Sequence, residues 1–505
     1  MESLPPPAVR VWKVSGDEVA TLSAEDALDL SNVRSLKRYL AREHGLPGFC
    51  QRLLQNGLEL EDHAVVDFPS EPQLVMVQSH VVSPAKEWQL ANSFHSRDLQ
   101  QAESILGEPC DLRSVLRPIL SNAAAAGHTE AVDLLLFANP RPGLNSLGTS
   151  LHAASEGGCV DVVRLLLRAR ADKDALISGK TPLSKSAGRG RMEVLSLLLE
   201  AGADMEKGSP LCSACASGVA EAVRMLLSAG ADARTRAADG PPVYIAADRG
   251  DIDILKLVLE ARANANDTSG EDTPLYRASF RGYAVTVRLL LEAMATVDTL
   301  VQGKTPLAAA SGRGHSKTVR LLLKAKADKD TSSPLCSAIR NEHGEVVSEL
   351  LTASANMEDA ATGETPLGLA AGRGMAAMVR MLLQARADIN KAAEGAEAPL
   401  CKACAGGHAD VVRLLLEAGA DRTVGSPLCS VCDEGHTEIV QLLLTARADK
   451  DACNADGRTP LWLASRFDFP DVVRLLLSAQ ADPNFVVRLD LWISGQERKT
   501  RVQAE

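Results

Sequence analysis

The sequence predicts a mainly α-helical solenoid of about twelve helix-turn-helix units, preceded by a small α+β roll. Three observations predict it. A run of Thr or Ser, Pro and Leu, then small residues and Gly, then Val-Val-Arg-Leu-Leu-Leu and Ala-x-Ala-Asp, recurs along most of the 505 residues. Its anchor falls at Leu120, Leu151, Leu183, Leu211, Val243, Leu275, Leu307, Leu335, Leu367, Leu400, Leu428 and Leu461, spaced by 28, 32 or 33 residues after Leu151. Residues 1–80 lack the run and carry short alternating apolar pieces instead. A fixed period in this range marks stacked supersecondary units, none of which buries its apolar face alone.

In chain order, residues 9–14 and 19–22 read as two strands joined at Ser15-Gly16. Residues 33–44 place Leu36, Tyr39 and Leu40 on one helical face and stop at Gly45. Residues 51–54 and 58–60 flank Asn56-Gly57, a hairpin signal because both residues accept positive φ. Residues 74–77 close as a last strand. One helix therefore lies across a small mixed sheet.

His44-Gly45-Leu46-Pro47, Gln51-Arg52-Leu53-Leu54 and Gly57-Leu58-Glu59-Leu60-Glu61-Asp62 together resemble ubiquitin-like domains at the helix end, central strand and following turn. Val77-Gln78-Ser79-His80 stands where that family has a C-terminal Gly-Gly, so the resemblance implies no conjugation. Leu54 and Val77 fit two of the family's three aliphatic recognition positions, and Ser15-Gly16 replaces the third. The resemblance implies docking to ubiquitin–proteasome components, or else a merely structural or unrelated binding role.

Most later units open with Pro, which suits a first helical turn, as at Pro182. Its first helix ends near a Gly, found at 127, 158, 190, 218, 250, 282, 314, 374, 407 and 435. Its second helix carries an apolar stripe, read in one unit as Val194, Leu197, Leu198 and Leu199. These units resemble ankyrin repeats, and residues 88–116 resemble a degenerate leading unit with Leu90 as anchor. Three departures from that family stand out. The histidine after Pro-Leu remains only at His152, so a tie between neighbouring turns is expected to be missing elsewhere. The Gly ending the second helix remains at 202, 230 and 419 but is Arg170, Arg262, Lys326, Arg386 and Arg447 elsewhere, implying strained left-handed caps. Three units are short, just before Ser209-Pro210, Ser333-Pro334 and Ser426-Pro427, and their finger hairpins are expected to be truncated. Leu151, Leu183, Leu211 and Val243 each recur 124 residues later, so a four-unit block is duplicated.

The division expected is 8–80, a ubiquitin-like domain; 81–118, a linker with the degenerate capping repeat; 119–482, the ankyrin-repeat solenoid; and 483–505, a tail whose apolar stretch 485–493 caps the last unit. A net charge of −11 without a basic domain argues against nucleic acid, and no apolar stretch is long enough for membrane insertion. The start, Met1 to Pro7, has no basic and apolar pattern of a signal peptide, so an intracellular, cytoplasmic chain with reduced thiols is expected.

Cys212/Cys215, Cys401/Cys404 and Cys429/Cys432 have C-x-x-C spacing, but all sit at equivalent first-helix positions. Helices held about 10 Å apart cannot bring four sulfurs onto one ion, so they read as small core residues and no metal or cofactor is expected. No hydrolase, kinase or metalloprotease motif is present, and the chain reads as a non-enzyme.

Two basic ladders remain. Arg164, Arg224, Lys256, Arg288, Arg320, Arg380, Arg413 and Arg474 on the second helices read as a solvated face. Arg189, Arg249, Arg281, Arg313 and Arg373, with Arg340 one place earlier, lie at first-helix ends, which in ankyrin arrays border the concave groove. Acidic residues replace them in the outer units, at Glu156 and Asp433-Glu434. The expectation is a basic groove for an acidic or phosphorylated segment of a protein partner. Leu176, Ile177, Leu300 and Val301 put apolar pairs at finger tips, either as contact points or packed on neighbours. Function is thus expected to be that of a monomeric scaffold or adaptor, with delivery of a solenoid-bound protein to ubiquitin-ligase or proteasome machinery as the alternative.

Overall fold

The computed structural model describes residues 9–13, 18–22, 32–44, 46, 51–55, 58–62, 64, 73–76, 80–81, 89, 92–93, 99–106, 110–111, 116–138, 144–360 and 363–483. The turns expected at Ser15-Gly16 and Asn56-Gly57, the recognition residue Val77, the anchor Leu90 and the tail stretch 485–493 lie outside these. The chain forms two compact units, Met1–Ala263 and Asn264–Glu505.

The first unit opens with β1 (Val9–Lys13), β2 (Glu18–Leu22), α1 (Val33–His44), β3 (Gln51–Gln55), β4 (Leu58–Glu59) and β5 (Gln73–Met76). They form one sheet in the order β2-β1-β5-β3-β4, in which only the central β1–β5 pairing is parallel. A parallel pair cannot be joined by a hairpin, and α1 lies in the connection. Val11, Ala20 and Leu53 from the strands meet Val33, Leu36 and Leu40 from α1. Strand alternation puts Gln51 and Leu53 on this buried face and Arg52 and Leu54 on the other. The buried Gln51 amide donates to the carbonyls of Lys37 (3.2 Å) and Leu46 (2.7 Å), fastening β3 to the helix and the chain just after it. Lys37 is itself buried and reaches Asp62 at 2.6 Å. In the segment read as linker and leading unit, Leu99–Leu106 is helical and His80–Val81 pairs in parallel with Cys110–Asp111.

Helix pairs follow. The first unit holds five among its described residues: Leu116–Ala125 with Thr129–Ala138, Leu144–Gly157 with Val160–Arg168, Pro182–Arg189 with Met192–Glu200, Pro210–Ser217 with Ala220–Ser228, and Pro242–Arg249 with Ile252–Glu260. The second unit holds seven, starting at Pro274–Arg281 with Ala284–Glu292 and ending at Pro460–Arg466 with Pro470–Ser478. Every anchor from Leu120 to Leu461 is buried in a first helix. On the second helices the most buried stripe sits one residue from where periodicity alone put it: Val194, Leu195 and Leu198 are buried, while Leu197 and Leu199 are half-buried. The first helix packs on one side of this helix and the neighbouring second helices on another, which widens the apolar face beyond a single i, i+3, i+4 line.

Local chemistry sets the helix ends. Thr181, Thr273, Thr305, Thr365 and Thr459 are extended N-caps whose hydroxyls accept the N–H of the third helical residue, with Pro at N1. The Gly residues foreseen at the ends of first helices all have positive φ, as at Gly190 (66°). Second helices close in the same left-handed geometry whatever residue is present: Gly202 (71°), Gly230 (99°) and Gly419 (89°), but also Arg170 (62°), Arg262 (63°), Lys326 (63°), Arg386 (69°) and Arg447 (62°). The reason is the bond that follows, such as Ala171 N–H to the Leu166 carbonyl at 3.0 Å, which only this turn makes.

The fingers divide as the spacing foretold. Ile177–Lys180 and Val301–Lys304 each close a two-residue hairpin, with positive φ at Ser178 (52°) and Gly179 (73°), and at Gln302 (50°) and Gly303 (74°). That is a type I′ turn, repeated 124 residues apart. In the short units no such bridge forms. Ser209, Ser333 and Ser426 turn left-handed (52°, 49°, 53°) and their hydroxyls do not cap their own helices. Ser209 and Ser426 donate instead to the carbonyls of Arg236 and Cys453 in the next unit.

The left-handed caps give a stability test. At Gly230 and Gly419 a Cβ would meet no atom within 4 Å, so a side chain there adds backbone strain alone. Arg386→Gly should raise the urea midpoint and Gly419→Arg should lower it, each by the equivalent of about 1 kcal/mol. Equilibrium unfolding of both full-length variants checks the opposite signs.

Candidate partner-binding surface

The surface is built on a main chain that each unit fixes for the next. In the fingers, Asp204 N–H is accepted by the Asp174 carboxylate (2.8 Å), Asp328 N–H by Asp298 (2.9 Å), Asn356 N–H by Asp330 (2.7 Å) and Asp421 N–H by the Asn390 side chain (2.8 Å). Asp204, Asp328 and Asp421, whose N–H groups are thus taken, use their own carboxylates to accept N–H groups two residues on, as Asp204 does from Glu206. These bonds hold Asp204, Asp328 and Asp421 below the usual aspartate range: the Glu206 N–H leads for Asp204, the Thr331 hydroxyl for Asp328 and the Thr423 N–H for Asp421. At the other end of the first helices, His315, His343 and His408 place Nε2 3.1, 3.3 and 3.1 Å from the carbonyls of Phe280, Gly312 and Gly372 one unit earlier. The Gly-His steps at 314–315 and 407–408 carry a signal for these ties that the sequence reading did not use.

The tie expected only from His152 is more widespread. His152 Nε2 lies 3.1 Å from the Lys180 carbonyl. At the equivalent position Ser184 donates to Gly208 (2.7 Å), Cys212 to Gly240 (3.7 Å), Cys401 to Val424 (3.1 Å) and Cys429 to Ala452 (3.2 Å). The expectation of a missing bond is thereby corrected: hydroxyl and thiol donors replace imidazole, and only residues such as Ala308 and Gly368 have nothing to donate. The first cysteine of each C-x-x-C pair is this donor, and the second (Cys215, Cys404, Cys432) is fully buried in the core. Burial pushes the thiols of Cys401 and Cys429 up to about 12, which keeps the S–H proton the bond requires. Among the described residues no group of three or more His, Cys, Asp or Glu is placed to hold a metal, and no helix is long and apolar enough to cross a membrane.

Both basic ladders are compensated only in part. On the second helices, Arg224 pairs with Glu221 (3.3 Å), Arg320 with Glu349 (2.7 Å) and Arg474 with Asp471 (3.0 Å). At first-helix ends, Arg189, Arg249, Arg281, Arg313, Arg340 and Arg373 are all exposed. Arg189 is neutralised, giving two hydrogen bonds to the Glu156 carboxylate (3.1 and 2.7 Å) beside Lys185 (3.1 Å). Arg189 and Lys185 accordingly hold Glu156 below the usual carboxylate range. Arg373 is tied to the Arg340 carbonyl at 2.7 Å. Arg313 lies over the Phe280 ring at 4.2 Å, and Phe280 stacks on Tyr276. Among the described residues no acid lies within ion-pair distance of Arg313, Arg340 or Lys304. These three line a cleft of about 690 Å³ with Tyr276, Phe280 and Ala309.

The finger-tip pairs are split by the hairpin's alternation. Leu176 and Leu300 are more than half exposed (53% and 55%), and Ile177 is half-buried. Val301 is 4% exposed and packs on Tyr276 and Ala309, so it supports the cleft from beneath and offers no surface to a partner. Leu54 is half-buried on the sheet face away from α1.

Two outcomes follow. Asp204, Asp328 and Asp421 titrate lower folded than unfolded, so they stabilise the fold above their ordinary value of 3.8 and cease to as pH falls through the folded values. The urea midpoint should therefore drop between about pH 5 and pH 3, and Asp204→Asn should flatten part of that drop. Second, a thiol reagent should label Cys159 and Cys453, which are partly exposed, far faster than Cys212, Cys215, Cys336, Cys401, Cys404, Cys429 and Cys432; mass spectrometry of the native protein reads the order.

The model for ankyrin repeats in sets of three copies matches residues 90–177, 169–237, 243–333, 335–425 and 400–486. The chain is also 37% identical over 93 residues to an ankyrin repeat and KH domain-containing protein of Caenorhabditis briggsae, a match spanning 17% of this chain and 4% of that protein. The stacked helix pairs, their Thr-Pro caps and the family match over most of the length lead to one statement: the chain belongs to the ankyrin-repeat family.

Proposed function

We propose that the chain is a non-enzymatic, monomeric interaction scaffold of the cytoplasm, holding partner proteins against its first-helix ends and finger tips. Ankyrin repeats point to protein–protein interaction as the role. The observation that carries the reading further is that Lys304, Arg313 and Arg340 converge on one open cleft with no acid of the described residues within ion-pair distance, whereas Arg189 in the same ladder is closed by Glu156. Uncompensated charge on an ordered surface favours a partner of opposite sign.

A second reading makes the chain a substrate adaptor, with residues 8–80 as a ubiquitin-like domain that recruits ligase or proteasome components. The sheet order β2-β1-β5-β3-β4, its single parallel pair and α1 across one face support that assignment, and Leu54 lies on the free face. Affinity purification with mass spectrometry on the full chain, with and without Leu54→Arg, separates the two. Loss of proteolytic components alone supports the adaptor. An unchanged set of partners leaves the scaffold, and loss of no partner on combined charge reversal at Arg281 and Arg313 overturns the groove as its surface.

A further inference from the structure

The duplicated block contains the same site twice, once closed and once open. Positions 124 residues apart share their main chain: Arg191 Nε donates to the Glu156 carbonyl at 3.2 Å, and His315 Nε2 meets the Phe280 carbonyl at 3.1 Å. Thr181 and Thr305 cap equivalent helices, and the finger tips at 178–179 and 302–303 have matching φ. On this common frame Lys180 and Arg189 recur as Lys304 and Arg313. Two of the changes bear directly on this arginine's acid. Glu156, which takes the Arg189 guanidinium through two of its N–H groups, becomes Phe280. Lys185, the second cation on that carboxylate, becomes Ala309.

The first copy therefore supplies its own acid. In the second, the Phe280 ring holds Arg313 at 4.2 Å without neutralising it, and the small Ala309 side chain lines the cleft. Arg340 adds a cation where the first copy has Ala216. Resting on the scaffold reading above, we infer that the cleft between Lys304, Arg313 and Arg340 takes a carboxylate from an acidic, Glu/Asp-rich segment of a partner protein, in the role Glu156 plays internally. The carboxylate is favoured over other anions because the closed copy shows it on this arginine: two oxygens shared between one guanidinium and one ammonium. A planar acid matches the guanidinium fork.

The test uses the full-length chain and a fluorescein-labelled hexaglutamate peptide, followed by anisotropy at low ionic strength. Phe280→Glu installs the acid of the first copy, whose main chain already accepts it, and should weaken binding by about tenfold or more. Ala309→Lys installs the counterpart of Lys185 and should tighten binding, a gain that a misfolded variant cannot mimic. Hexaglutamate failing to bind the intact chain overturns this inference and not the scaffold reading, which partner capture tests separately. Binding that ignores Phe280→Glu places the peptide elsewhere and overturns it too. So does a preference of about tenfold or more for a phosphoserine peptide of equal length, which would make the occupant a phosphate.

Discussion

Among the described residues, helix pairs rely on their neighbours to complete their hydrogen bonding, and the rest of the structure follows from that. The N–H of Asp204 has its acceptor in the preceding finger, at Asp174; the Ser184 hydroxyl has its acceptor in the following one, at Gly208. Thr181 does both kinds of work, accepting the Ser184 N–H within its helix and donating to Lys207 across the gap. Each such bond contributes only about 1 kcal/mol net, but an orphaned buried partner costs more than the bond is worth. Stacking is therefore the condition under which a unit is satisfied at all, and the shared geometry of the fingers and caps is its consequence.

That constraint leaves side chains at the first-helix ends free to vary. Their main-chain carbonyls are held from the following unit, Phe280 by His315 and Arg340 by Arg373, so the backbone there does not depend on which side chain the held residue carries. A Glu and a Phe occupy the same framework at 156 and 280, one closing a basic site and the other leaving it open. The difference between a structural contact and a binding cleft is here a change of side chains on a shared main chain, Glu156 to Phe280 and Lys185 to Ala309 foremost.

The architecture was legible because its signals are local and repeated. Twelve anchors, nine of them Pro-Leu, predict the helix pairs, and aligning them puts Arg170 and Arg386 at left-handed caps. The truncated fingers followed from the spacing alone. What stayed hidden depended on contacts between units. Cys212 and Cys401 sit in small apolar surroundings and read as packing; that their S–H groups face finger carbonyls 28 and 23 residues later is a fact of stacking. Arg189 and Arg313 looked alike because their own helices are alike. The partner that distinguishes them lies 33 residues back, at Glu156 and Phe280, and whether Val301 is a contact point or packs on neighbours, open from its place at a tip, is decided by the side its hairpin turns inward.

Magnitudes explain why the open site was accessible to a duplicated chain. A partly exposed ion pair such as Glu156–Arg189 stabilises a protein by about 0–1 kcal/mol, so losing the acid in one copy costs the fold almost nothing. Replacing it by Phe280 recovers contact area through Tyr276 and keeps the guanidinium in place by cation–π attraction, worth about 0.5–1 kcal/mol at an exposed position. The two terms nearly cancel. Changing Thr305 instead would release both the Ala308 N–H and the bond toward Thr331, in a buried setting where neither is replaced by water. The difference between Glu156 and Phe280 thus falls where the energetic cost is small and the effect on an approaching acid is large, at the rim of the first helices.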